Sequence, residues 1–77
     1  MIDFEVFIGR TEQNRKKTYL VAEPWTSYIC MCDAAKKFFR CSEAHIEIVN
    51  GYVFNDELYL EDPHKRGAKI KCVAFYV

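Results

Sequence analysis

Four cysteines and two histidines are the residues of this 77-residue chain whose types could support metal binding, disulfide formation or nucleophilic catalysis. Cys30 and Cys32 are separated by one residue, whereas the paired cysteines of a zinc site are usually separated by two or more. The other candidates form no second pair at ligand spacing: Cys41, His45, His64 and Cys72. We therefore expect no bound metal and no cofactor.

The spacing of the thiols also argues against disulfides, because a helix is predicted over residues 27–40. On such a helix Cys30 and Cys32 point roughly 160° apart, and Cys41 lies roughly 16 Å along the axis from Cys30. Free thiols are typical of a reducing compartment, so we expect a cytoplasmic protein. There is no run of about 18 apolar residues and no N-terminal signal pattern, so we expect no membrane span.

Catalysis and nucleic-acid binding are the two functional classes that the residue pattern disfavours. No predicted element places a nucleophile beside a base, and so small a domain has little room for a concave pocket, so we predict that the protein is not an enzyme. Eleven basic and eleven acidic residues cancel, which leaves no overall field to attract nucleic acid. The basic residues that could form a local patch are interpreted as solvated surface: Lys36, Lys37, Arg40, Lys65, Arg66 and Lys69.

The elements of the first half follow from periodicity. Alternating apolar residues predict a strand from Ile2 to Ile8, and a polar turn over residues 10–17 leads to a second strand over residues 18–22. Ser27 is a suitable N-cap for the helix. The predicted buried side of that helix consists of Tyr28, Met31, Cys32, Ala35, Phe38 and Phe39.

The second half is predicted to contain a hairpin and a last strand. Ile46 and Ile48 alternate with polar residues, and the following Asn50-Gly51 predicts a tight turn into a short strand over residues 52–54. An irregular stretch and a loop over residues 62–67 follow. The last strand is expected to bury Ile70, Cys72 and Ala74 and to leave Lys71, Val73 and Phe75 outside. The expected core is represented by Met31, Phe39, Ile48 and Ile70.

This order of elements resembles the ubiquitin-like β-grasp fold over nearly the whole chain. Two segments carry local likenesses, Val21-Ala22-Glu23-Pro24 before the helix and Ile48-Val49-Asn50-Gly51 before Asn55-Asp56-Glu57-Leu58. The second segment is also similar to the hairpin of the small sulfur-carrier proteins. The resemblance implies one α+β domain over residues 1–77, in which a mixed sheet of four to five strands packs on one helix.

The resemblance also bears on function. Ubiquitin and the sulfur carriers act through a Gly-Gly terminus, whereas this chain reads Phe75-Tyr76-Val77, so a modifier or sulfur-carrier role is not expected. In the β-grasp strand order the first and last strands are neighbours. That order would gather apolar side chains on the open sheet face, opposite the helix: Phe7, Tyr19, Val21, Val49, Val73 and Phe75.

Exposed apolar patches of this kind commonly mark interfaces, and ubiquitin-like domains generally bind partners through this face. We therefore predict a non-enzymatic protein-binding module whose partner is another protein or a second copy of the chain. Two alternatives stay open. The face assignment could be wrong, or an N-terminal or loop segment could cover the patch. The chain could also be a small inhibitor, of the kind that phages and mobile elements encode, that blocks a host protein machine.

Overall fold

A computed structural model describes residues 4–10, 16–60, 64 and 66–77. The strands in this part of the chain are β1 (Glu5–Arg10), β2 (Lys16–Ala22), β3 (Ile46–Phe54), β4 (Glu57–Leu60) and β5 (Lys69–Tyr76). The helix α1 spans Tyr28–Phe39, and a short 3-10 helix spans Glu43–His45. The predicted strand start at Ile2, most of the first turn (residues 11–15) and part of the predicted loop (residues 62, 63 and 65) lie outside the described residues.

The five strands form one curled antiparallel sheet in the order β1-β2-β5-β3-β4, with α1 packed on one face. The predicted α+β class is confirmed, but the predictions of a mixed sheet and of adjacent first and last strands are wrong. β5 lies between β2 and β3. The continuous apolar run Tyr19-Leu20-Val21-Ala22 is typical of an interior strand such as β2, because both of its faces are buried. Glu5 and Gly9 are tolerated in β1, because it lies at the edge of the sheet.

Helix α1 begins where the sequence predicts. The Ser27 hydroxyl oxygen accepts a hydrogen bond from the backbone N–H of Cys30 at 3.2 Å. Met31 and Ala35 are fully buried, which confirms the central part of the predicted inner side. Tyr28 and Phe38 are exposed, so the predicted buried stripe is too wide. The buried helix residues pack on strands β2 and β5, and neither Tyr28 nor Phe38 is among the residues that form this contact.

The turn between β3 and β4 differs from the prediction. Asn50-Gly51 lies inside β3, and the two-residue turn is formed by Asn55 and Asp56, whose φ angles are 51° and 63°. Positive φ at both central residues is the requirement of a tight type I′ hairpin, and Asn and Asp tolerate it better than most residues. Gly51 is required by space instead, because a Cβ atom there would lie 2.9 Å from Cγ2 of Val73.

The sheet has an apolar cluster on each face. The cluster beneath α1, which we call cluster 1, consists of Leu20, Ala22, Met31, Ala35, Cys72 and Ala74. Phe39 and Ile48 are half-buried and pack against it, in agreement with their predicted core positions. Ile70 is 47 % exposed, so its predicted core position is wrong. It lies opposite Tyr52, before the run of buried residues in β5 begins.

Candidate functional site

The six residues predicted to form an exposed patch lie together, but they form the second buried cluster. Cluster 2, on the sheet face opposite α1, is built from four buried side chains, Tyr19, Val21, Val73 and Phe75, against which Phe7, Val49 and Leu58 pack. The predicted grouping is therefore correct. The predicted exposure is wrong for the four buried residues, of which Val73 is 0 % exposed and Phe75 8 %.

Cluster 2 is buried because the sheet curls around it. The edge strands β1 and β4 stand at opposite ends of the strand order, yet Phe7 and Leu58 line the same cavity of about 480 Å³. Both side chains also pack on cluster 2. The rings of Tyr19 and Phe75 meet edge to face with their centroids 5.5 Å apart, and the Lys17 ammonium lies 4.4 Å from the centroid of Phe75. This face is therefore a second core.

An accessible apolar surface lies on the other side of β1, where α1 does not cover the sheet. The groove between β1 and α1 has a volume of about 610 Å³. We call it the β1–α1 groove, and it is lined by Phe4, Val6, Leu20, Cys30, Asp33, Ala34, Lys37 and Phe38. The periodicity of the sequence predicts a buried position for Phe38 on the helix and for Val6 on the first strand, so the groove is not apparent from the pattern.

The walls of the β1–α1 groove are apolar and partly open to water. Val6 on β1 is 54 % exposed and Phe38 on α1 is 43 % exposed, although both side chains have the periodicity of a core residue. Leu20 is buried at the floor. The apolar surface of cluster 1 therefore continues toward β1, and α1 leaves this part of the surface uncovered. Concave apolar surfaces of this kind bind the side chains of ligands or partner proteins.

Charged groups of α1 stand along one wall of the groove. Asp33 and Lys37 belong to its lining, and Asp33 forms an ion pair of 3.3 Å with Lys36. The hydrogen bond and the charge of Asp33 raise the pKa of Lys36, so this lysine stays protonated. The Lys37 side chain is exposed at this wall.

The chemically reactive candidates are dispersed over the structure. All four cysteines are free, and only Cys30 lies in the groove lining described here. Burial raises the pKa of the Cys72 thiol, and burial together with the nearby Glu43 raises that of Cys32, so both are held as neutral thiols. The ring of His45 stacks on Tyr76 with centroids 5.8 Å apart. Within the described residues, no three His, Cys, Asp or Glu side chains group closely enough to hold a metal ion.

A second group of exposed apolar side chains surrounds the start of α1. Trp25, Tyr28 and Ile29 are 80 %, 61 % and 72 % exposed. None of the three contributes to the lining of the β1–α1 groove. Ile29 therefore provides a comparison residue, since it is a large exposed aliphatic side chain on the same helix.

The basic residues are divided between elements. Lys36, Lys37 and Arg40 lie on or just after α1, and Lys69 begins β5. Lys65 is outside the described residues. Lys71, on β5, forms an ion pair of 2.7 Å with Glu23. The Lys71 side chain is only 12 % exposed, so this pair is partly buried, whereas the residues on and after α1 face solvent to a larger extent.

Comparison with protein-family models, with curated proteins and with solved structures gave no match. Among the described residues, no helix has both the length and the apolar character needed to cross a membrane.

Proposed function

We propose that this chain is a non-enzymatic protein-binding domain that receives apolar side chains of a partner protein in the β1–α1 groove. The observation that carries the proposal is the exposure of Val6 and Phe38 on the two walls of a groove of about 610 Å³. Other large apolar side chains are exposed as well, but Val6 and Phe38 face each other across a concave space with a buried leucine at its floor. An apolar concave surface of this kind is typical of an interaction site.

The groove offers both an apolar floor and polar groups that can orient a partner. An aliphatic or aromatic side chain entering it would contact Leu20, Val6 and Phe38 and would leave water. Asp33 and Lys37 on the helix wall would then pair with a donor and an acceptor on either side of that anchor. This division into an apolar centre and a charged rim is the usual anatomy of a protein interface.

The family relation is also part of this proposal. The element order supports a distant relation to ubiquitin-like β-grasp domains, although β2 rather than β1 neighbours β5. Those domains generally bind through the sheet face. Because cluster 2 buries that face here, we place the binding surface on the β1–α1 groove instead.

Capture of partners from a lysate of the native host tests this proposal. Immobilised wild-type protein is compared with Val6→Glu and Phe38→Ser, and with Ile29→Glu as a control at a more exposed site outside the groove. A partner of the groove is lost with the first two variants and retained with the third. It also protects Cys30 from alkylation, since this exposed thiol lines the groove.

Two outcomes would contradict the proposal. One is a partner that is lost only with Ile29→Glu, which would place binding at the start of α1. The other is a bound partner that leaves Cys30 as reactive as in the free protein. The activity of a purified partner then separates the two modes of action, because an adaptor leaves it unchanged and an inhibitor lowers it.

A further inference from the structure

The outer edge of β1 has the features of a strand that pairs with a second copy of itself. β1 pairs with β2 on one side and is the first strand of the sheet order, so among the described residues its other side is an edge. Natural edge strands are usually protected by proline, lysine or an inward-pointing charge. β1, Glu5–Arg10, contains neither proline nor lysine, and its charged residues stand only at its two ends. Between them, Val6 is 54 % exposed and Ile8 is 70 % exposed.

We propose that two copies of this chain associate through antiparallel pairing of their β1 strands about a two-fold axis at Phe7. A two-fold axis perpendicular to the sheet places the α1 face of one copy beside the α1 face of the other. In such an antiparallel pair, one residue on the axis must lie opposite the same residue of the second copy. The register centred on Phe7 places Val6 opposite Ile8 of the second copy and Ile8 opposite Val6. It also pairs every described residue of the segment 4–10.

The side chains are self-complementary in this register. Two identical contacts between Val6 and Ile8 form on the face that carries α1, and they cover the two most exposed side chains of the strand. Glu5 lies opposite Gly9 of the second copy, so the two carboxylates are not placed opposite each other. Opposed aliphatic side chains stabilise the pairing of two identical edge strands, and the absence of opposed like charges avoids repulsion between them.

This interface goes beyond the proposed partner site, because it uses the backbone edge of β1. The two surfaces share Val6, which also lines the β1–α1 groove. Phe38 lies on the helix wall of the groove and outside the paired strands. Loss of partner binding in Phe38→Ser with retention of the dimer would therefore report on the groove alone. Loss of the dimer in an Ile8 variant with retained Phe38-dependent partner capture would report on the strand edge alone.

Sedimentation equilibrium of the full chain between about 5 and 500 µM tests the dimer. We expect the wild-type protein to form a dimer and the dissociation constant of that dimer to rise at least tenfold in Ile8→Lys. Ile29→Lys should change the dissociation constant little, since this isoleucine has nearly the same exposure but lies on α1. The register is tested by Val6→Glu together with Ile8→Lys. Each change alone weakens the dimer, and the double variant recovers it because each glutamate then faces a lysine.

Circular dichroism confirms that every variant is folded before it is compared. A wild-type protein that is monomeric throughout this range would overturn the proposal. It would also be overturned by a dimer that Ile8→Lys leaves intact, or by a double variant that is no better associated than the weaker single variant.

Discussion

Shortening Val73 to alanine should strongly destabilise the protein, because Val73 is at the centre of cluster 2. Its side chain is 0 % exposed, and it lies directly opposite Val21 on β2 and Val49 on β3. The substitution removes two buried methyl groups, each worth about 0.5 to 1.5 kcal/mol including the cavity left behind. We expect a loss of about 2 kcal/mol, out of about 4 to 12 kcal/mol for a domain of this length.

Urea unfolding followed by circular dichroism measures this loss. With a slope of about 1 kcal/mol per molar urea, typical of a small domain, the unfolding midpoint should fall by about 2 M. Val6→Ala is the matched control, since the same two methyl groups are removed from a side chain that is 54 % exposed. It should change stability by no more than about 0.5 kcal/mol. Equal, small losses in both variants would refute the assignment of this face to the core.

Three further predictions concern the thiols, the β3–β4 turn and alkaline pH. In the native protein a thiol reagent should modify Cys30 rapidly and Cys72 only on unfolding, because the first is exposed and the second is buried; rapid modification of both would contradict this placement. Asp56→Gly should stabilise the protein by roughly 0.5 to 1 kcal/mol, since glycine adopts the φ of 63° without strain, and a lowered thermal midpoint would contradict the turn assignment. Because burial raises the pKa of Cys72, the folded state retains a proton that the unfolded chain loses above about pH 8.5, so stability should fall as pH rises beyond that value. The urea midpoint of Cys72→Ala should fall less steeply between pH 8 and 10 than that of the wild type, and equal slopes would argue against this thiol as a source of the effect.

Local chemistry predicted much of the fold. The Ser27 cap, the burial of Met31 and Ala35, and the inward positions of Ile46 and Ile48 follow from helical and strand periodicity, and the structure confirms them. The turn was misplaced because Asn50-Gly51 has the strongest hairpin signal in the sequence. Pairing of Gly51 with both β4 and β5 outweighs that signal.

The alternation of residues along β5 does not predict that the sheet face opposite α1 is buried. Strict alternation assigns Val73 and Phe75 to the outside once Cys72 and Ala74 are placed inside. The continuous apolar runs over residues 19–22 and 72–75 carried the missing information, because such runs are typical of strands buried on both faces. Which segment covers the second face depends on sheet curl, a long-range property.

The groove could not be predicted for a related reason. Phe38 and Val6 have the periodicity of core residues, and only the placement of α1 over the central strands leaves them open to water. A helix that lies over β2, β5 and β3 exposes one face of β1. The position of a helix across a sheet is set by the packing of all its contacts together.

The most direct test of the account compares the solvent accessibility of valine methyl groups by NMR with a soluble paramagnetic agent. The sheet face opposite α1 is interior, and the accessible apolar surface lies beside β1. The Ile8→Lys variant is used so that the proposed dimer does not cover Val6. We predict strong broadening of the Val6 methyl signals and none for Val21 and Val73, which are 1 % and 0 % exposed. Broadening of the Val21 and Val73 signals to the same extent as those of Val6 would contradict the account.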